Sequence, residues 1–257
     1  MNDLSKSLFF DSDSDFYDLE YCISLEYRYF SGAHRSRINN ILETIAQATG
    51  LKCLDIGCGG GYFTNELKKT GADVIGIDYS LYAIEFAKRR FPSLDFRRIS
   101  AYDLTSFSPA SFDLVTLIDV VEHLENVSAA LSNVYKVLKP AGRLIVSTDV
   151  ENGVWSSHSL FARLMRQLET LSADGRASRL ITKTESYRRK VVRDYHITHI
   201  SPLSETAIIE MLVANNFRVV EHKIYPLVAV PLRDLTLKIF PKSWRGDHQC
   251  VLCKKMP

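Results

Sequence analysis

Leu54-Asp55-Ile56-Gly57-Cys58-Gly59-Gly60-Gly61-Tyr62 decides the fold of this chain. A short β-prone run, Leu51–Ile56, enters a cluster of glycines, and helical spacing resumes at Tyr62. Strand, glycine-rich turn and helix in that order let a ligand approach the backbone, because no Cβ stands in the way. The helix start also offers N–H groups that have no partner within the helix. A dinucleotide-binding loop of the form G-x-G-x-x-G requires glycine at position 62, where Tyr62 stands. The spacing here is G-x-G-x-G, at Gly57, Gly59 and Gly61. Asp55 sets an acid at the strand end, poorly placed beside an anionic pyrophosphate and well placed beside a cation.

Outward from that loop, strand-like and helix-like segments alternate. On the N-terminal side Ile38, Ile41, Leu42 and Ile45 recur at helical spacing before Gly50. On the C-terminal side come a helix over Tyr62–Lys69, a strand over Asp73–Ile77, a helix over Ala83–Arg90 and a strand over Leu94–Ile99. Phe112–Ile118 (FDLVTLI) is apolar enough for a central parallel strand covered on both faces. Ala129–Leu138 reads as a helix, Lys139-Pro140-Ala141-Gly142 as a turn and Arg143–Ser147 as a strand. This alternation predicts an α/β, doubly wound, Rossmann-like sheet. Residues 151–200 break the rhythm with a mostly helical, Arg-rich insertion. Ser201-Pro202 then starts a helix running to about Asn215, followed by strands at Phe217–Tyr225 and Gln249–Lys254.

No repeat or low-complexity linker divides the 257 residues, so one domain is expected: a lead-in over 1–35, a ligand-binding core over 36–150, a lid insertion over 151–200, and a closing helix and strand pair over 201–257. The net charge of +2 argues against histone-like wrapping and polybasic membrane anchoring. Five cysteines, thinly spread, do not form a secreted disulfide framework. The first residues lack a signal-peptide pattern, and no apolar run reaches the ~20 residues of a membrane helix. A cytoplasmic protein, monomeric or homodimeric, is expected.

LDIGCGGGY resembles the first motif of the class I S-adenosylmethionine-dependent methyltransferases. The resemblance continues through VIGIDYS at 74–80, FDLVTLIDVVEHL at 112–124 and LKPAGRLIVST at 138–148. It is nearest in kind to the O-methyltransferases of ubiquinone biosynthesis, and it implies a mostly parallel seven-stranded sheet with a helical lid and S-adenosyl-L-methionine as cofactor. By the same resemblance Asp55, Gly57, Cys58, Gly59 and Gly61 surround the methionine part of the cofactor, and Asp78 accepts hydrogen bonds from the ribose hydroxyls. A competing role for Asp78 is N-cap of the next helix. Tyr79 is placed to pack on the adenine. Many relatives carry an adenine-binding acid where Ala101 stands; here the acid comes at Asp103, so either Asp103 or backbone groups near Ala101 and Tyr102 take that contact. Arg37 matches an arginine that in such relatives precedes the first domain helix and meets the cofactor carboxylate, with a solvated helix-surface arginine as the alternative.

Ile118 and Asp119 close the fourth strand, at the carboxyl edge where open α/β sheets bind ligands. On a helix Asp119, Glu122 and His123 share a face. Three readings of that face stay open. His123 is a general base oriented by Glu122; or Asp119, Glu122 and His123, with His196 or His199, hold a divalent metal, as the E-x-x-E-H set of small-RNA 2′-O-methyltransferases suggests; or Asp119 and Glu122 form a capping box. Between Trp155 and Ile200 nine basic residues face four acids, and Trp155, Tyr195, His196 and His199 are candidates for the pocket mouth. The expected reaction is O-methylation of a small organic acceptor. A small-RNA ribose hydroxyl is second, although nucleic acid is not the expected partner, and a non-catalytic cofactor-binding scaffold is the rival from another class. Cys250 and Cys253 lie three residues apart on a strand, so they point to opposite faces.

Overall fold

In the computed structural model, which describes residues 32–45, 48–149, 204–225 and 248–257, FDLVTLI occupies the middle of a seven-stranded sheet. Strands β1 (Lys52–Ile56), β2 (Asp73–Asp78), β3 (Asp95–Arg98), β4 (Phe112–Ile118), β5 (Leu138–Asp149), β6 (Phe217–Tyr225) and β7 (His248–Lys255) lie in the order β3-β2-β1-β4-β5-β7-β6. The first five are parallel, and β7 runs antiparallel to both β5 and β6.

Residue alternation assigns the helices to two layers. Cys53, Val74, Leu114, Ile145 and Cys250 face one side, against Ile38, Ile41 and Ile45 of α1 (Gly32–Ile45) and Phe63 and Leu67 of α2 (Tyr62–Lys69). On that side Phe96 packs with Ile84 and Ala87 of α3 (Leu81–Arg90). Their strand neighbours Leu54, Ile77, Val115, Leu144, Val251 and Cys253 face the other side. There they meet Ala130, Leu131 and Val134 of α4 (Val127–Val137) and Ile208 and Leu212 of α5 (Glu205–Ala214). Cys250 and Cys253 therefore do lie in different layers. Among the described residues no helix is long and apolar enough to cross a membrane.

Two expectations from the sequence are corrected here. Lys139–Gly142 is a bulge inside β5, not a turn before it: Phe112 pairs with Leu138 and Leu114 already with Arg143. Pro140 has no N–H to give the ladder and Ala141 takes φ 59°, so the extra residues loop out while the strand continues on both sides. The helix expected from Ser201 begins later, capped by Ser204, whose hydroxyl accepts from the Ala207 N–H at 3.2 Å. Residues 201–203 lie outside the described ones.

Candidate active site

The carboxyl ends of β1, β2 and β4 meet at the glycine turn. Gly57, Gly59 and Gly61 all take left-handed φ values of 71°, 50° and 80°. At Gly57 the reason is also steric: a Cβ there would stand 2.3 Å from Cγ2 of Val120. The N–H groups of Gly57 and Cys58 both donate to the Ile77 carbonyl, at 2.8 and 2.9 Å, which moors the turn to the end of β2. Cys58 is buried in the α3 layer, and burial pushes its thiol far above the ordinary range, so it packs and does not attack.

Asp78 closes the turn from the other side. One carboxylate oxygen accepts from the Gly59 N–H at 2.9 Å and the other from the Ser80 N–H at 2.8 Å. Each oxygen keeps acceptor capacity for a ligand. The cap of α3 is Ser80, whose hydroxyl accepts from Ala83 at 3.2 Å, so Asp78 is not the N-cap. Tyr79, beside it, is more than one-third exposed. Burial raises the Asp78 pKa above its ordinary value, against the pull of the backbone N–H groups.

Asp55 is 2% exposed, and its two oxygens are taken by the hydroxyls of Thr64 on α2, at 2.5 Å, and Thr116 on β4, at 2.8 Å. The carboxylate sits under the turn and binds α2 to β4. Burial pushes its pKa up to about 6, opposed by the two threonine bonds. Nothing in the spacing of the sequence marked Thr64 or Thr116 as its partners.

The segment after β4 differs most from its sequence reading. Ile118 is the last strand residue, Asp119 takes φ 55°, and a 3₁₀ turn covers only Val121–His123. Asp119 is neither a helix cap nor on one face with Glu122 and His123. Its N–H donates to the Ser147 carbonyl at 2.8 Å, and its carboxylate pairs with Arg37. Glu122 is 2% exposed and accepts from the Thr148 hydroxyl at 2.9 Å, so it points into the core at β5. His123 is half-buried at the rim. Among the described residues no three His, Cys, Asp or Glu side chains are grouped to hold a metal ion; His196 and His199, with Trp155 and Tyr195, lie outside those residues.

Arg37 is inside α1, not before it, and is only 6% exposed, which also overturns the solvated alternative. Besides Asp119 it meets His248 of β7, with one guanidinium nitrogen 3.0 Å from Nδ1 and 3.2 Å from Nε2. In the loop after β3, Ala101 is buried, and the Tyr102 carbonyl and hydroxyl accept from Asn133 and the Asn126 N–H of α4's start, at 2.8 and 3.1 Å. Asp103 is exposed and accepts from the hydroxyl and N–H of Thr105 at 2.6 and 3.1 Å, which lowers its pKa. That local turn occupies the acid, so the backbone near Ala101 and Tyr102 is the better candidate for an adenine contact.

Residues 54–146 match the methyltransferase domain family model. A ubiquinone biosynthesis O-methyltransferase of Leptothrix cholodnii is 33% identical over 131 residues, 48% of this chain and 54% of that protein. The chain thus spans about half the length of the curated relatives it matches. Among solved structures, a chain from the complex of the Haloferax volcanii Trm112 methyltransferase activator with a methyltransferase shares the fold at TM-score 0.66 and 15% identity, over 95% of this chain and 97% of that one. A SAM-dependent methyltransferase from Archaeoglobus fulgidus does so at TM-score 0.62 and 17% identity, over 91% and 100%. Sheet order, glycine turn and family match thus coincide over residues 54–146, the part of the chain that is similar to a methyltransferase domain.

Proposed function

We propose that the chain moves a methyl group from S-adenosylmethionine to an oxygen of a small organic acceptor, in the cytoplasm. The observation that carries this reading is the Asp78 carboxylate, held between the Gly59 and Ser80 N–H groups with acceptor capacity to spare. A carboxylate so fixed suits a vicinal diol, and the ribose of the cofactor has one. The two acids at the turn, Asp55 and Asp78, suit a cationic ligand better than a pyrophosphate.

The bound cofactor supplies the electrophilic methyl group and a neutral thioether leaving group. The chain's own work is placement: Gly57–Gly61 let the ligand approach the backbone, Asp78 fixes the ribose, and the loop at Ala101–Tyr102 borders the base. His123, half-exposed at the end of β4, takes the proton that an acceptor hydroxyl must lose. His123→Ala should lower kcat ~10²–10⁴-fold and leave cofactor affinity unchanged. Of the two grounds for the ribose-hydroxyl alternative, the basic segment over 151–200 lies outside the described residues and the shared carboxylate–His face is not formed by the 3₁₀ turn, so the small acceptor stands first.

Calorimetric titration with S-adenosylmethionine, its demethylated product and NAD tests the cofactor; binding of NAD alone would refute the assignment. Production of S-adenosylhomocysteine across a panel of hydroxylated metabolites and RNAs tests the activity. Silence across the panel with cofactor bound would favour a scaffold. Turnover of RNA alone, abolished by chelator, would favour the metal-dependent alternative.

A further inference from the structure

Arg143, Lys254 and Arg218 stand side by side across the last three strands of the sheet. In the antiparallel register Lys254 of β7 lies opposite Arg143 of β5 on one side and Arg218 of β6 on the other. Their chain neighbours Leu144, Cys253 and Phe217 face the α4–α5 layer, so alternation turns all three cations to the α1 side. Adjacent strands lie about 4.8 Å apart, which makes a short ladder of like charge. Like charges directly opposite one another weaken a sheet. Arg143 is half-buried and donates to the Ile45 carbonyl at the end of α1, at 2.7 Å. Lys254 and Arg218 are exposed, and among the described residues neither is ion-paired; the pairs on β5 and β6 are Lys139 with Asp113 and Lys223 with Glu221. A cation on an edge strand guards against mispairing, but β5 and β7 lie inside the sheet, where that need does not arise.

Two exposed apolar side chains adjoin the ladder. Met256, two residues past Lys254, is 38% exposed, and its N–H extends the β6–β7 pairing to the Asn216 carbonyl at 3.1 Å. Val220, two residues past Arg218, is 48% exposed. It is the extra residue of a bulge, since Val219 pairs with Cys253 and Glu221 already with Leu252. We propose that this ladder is the docking surface for an acidic segment of a partner protein, whose carboxylates lie on Arg143, Lys254 and Arg218 and whose apolar side chains cover Met256 and Val220. The unbalanced cations set the sign of the partner. The apolar flanks favour a polypeptide over a nucleic-acid strand, which carries charge along its whole length. The ladder lies at the amino ends of β5 and β6, away from the glycine turn, so the partner leaves the carboxyl edge of the sheet open.

Fluorescence anisotropy on the full chain tests the surface with a labelled peptide of alternating glutamate and leucine. A lysine–leucine peptide, a single-stranded RNA and phosphatidylglycerol vesicles are the other arms. The acidic peptide should bind saturably, and more weakly as salt rises. Lys254→Gln should weaken it about tenfold, the scale of one lost charge contact, and Lys254→Glu further. Both variants relieve repulsion within the ladder, so Tm at low salt should rise in each, which separates lost docking from a damaged fold. Peptide affinity unchanged in Lys254→Gln overturns the proposal, as does the absence of saturable binding by wild type at low salt. Equal binding of the lysine–leucine peptide, or tighter binding of RNA or vesicles, overturns the choice of an acidic polypeptide. A fall of Tm in Lys254→Gln would show that the ladder already meets its counter-charges within the chain, and overturns the proposal too.

Discussion

Asp78 fastens the glycine turn through Gly59, and in the proposed function its remaining lone pairs take the cofactor ribose. Asp78→Ala should therefore weaken S-adenosylmethionine binding by more than the ~1.5–3 kcal/mol of a single charged hydrogen bond, because the turn also loses its clasp. Calorimetry on Asp78→Ala and Asp78→Asn gives the two parts. Asp55 makes a prediction about stability. Its folded pKa of about 6 lies above the ordinary carboxylate range, so the native state prefers the protonated acid. Its contribution is fully present below about pH 4 and is lost as the pH rises through about 6. Relative to Asp55→Asn, the wild type should lose stability across that window and stay level above it, by an amount on the order of a few kcal/mol. Tm measured for both proteins from pH 4 to 7.5 checks this. A constant difference would contradict it. At this scale the sequence showed the acids but not their partners. Asp55 finds Thr116 and Arg37 finds His248 across 61 and 211 positions, and no local pattern encodes such pairs.

Among the elements, β4, α2 and β6 coincide residue for residue with their reading in the sequence. Each is bounded by local signals: the apolar run of β4, and the glycines around α2. The segment after β4 was misread because Asp-x-x-Glu-His has helical spacing, whereas the backbone follows tertiary constraints. Asp119 is held by the Ser147 carbonyl and by Arg37, and Val120 must fill the space above Gly57. That last contact is testable. Gly57→Ala combines a left-handed φ with a 2.3 Å approach to Val120 and should cost ~1–3 kcal/mol in strain, with cofactor affinity falling in parallel. Val120→Ala should recover part of that loss in the double variant, and a denaturation cycle of the four proteins measures the coupling. Strict additivity would show that the clash is absorbed elsewhere.

For the whole molecule, the decisive arrangement is a sheet with a separate hydrophobic layer on each face, and β7 threading both. Its two cysteines are therefore a matched pair of reporters. Cys250 is covered from the α1 side and Cys253 from the α4–α5 side, each almost without exposure. Burial holds both thiols near a pKa of about 12, so neither reacts until its cover lifts. Alkylation under native conditions, resolved by peptide mass, would time the opening of each layer separately on one strand. The α4–α5 layer holds the larger cluster, whereas α1 is secured in part by polar contacts of a single arginine to β7 and the end of β4. Cys250 should therefore be modified first, and Arg37→Ala should quicken Cys250 while leaving Cys253 at its original rate. Equal rates that respond together would mean that the two faces of the sheet are uncovered in one cooperative event.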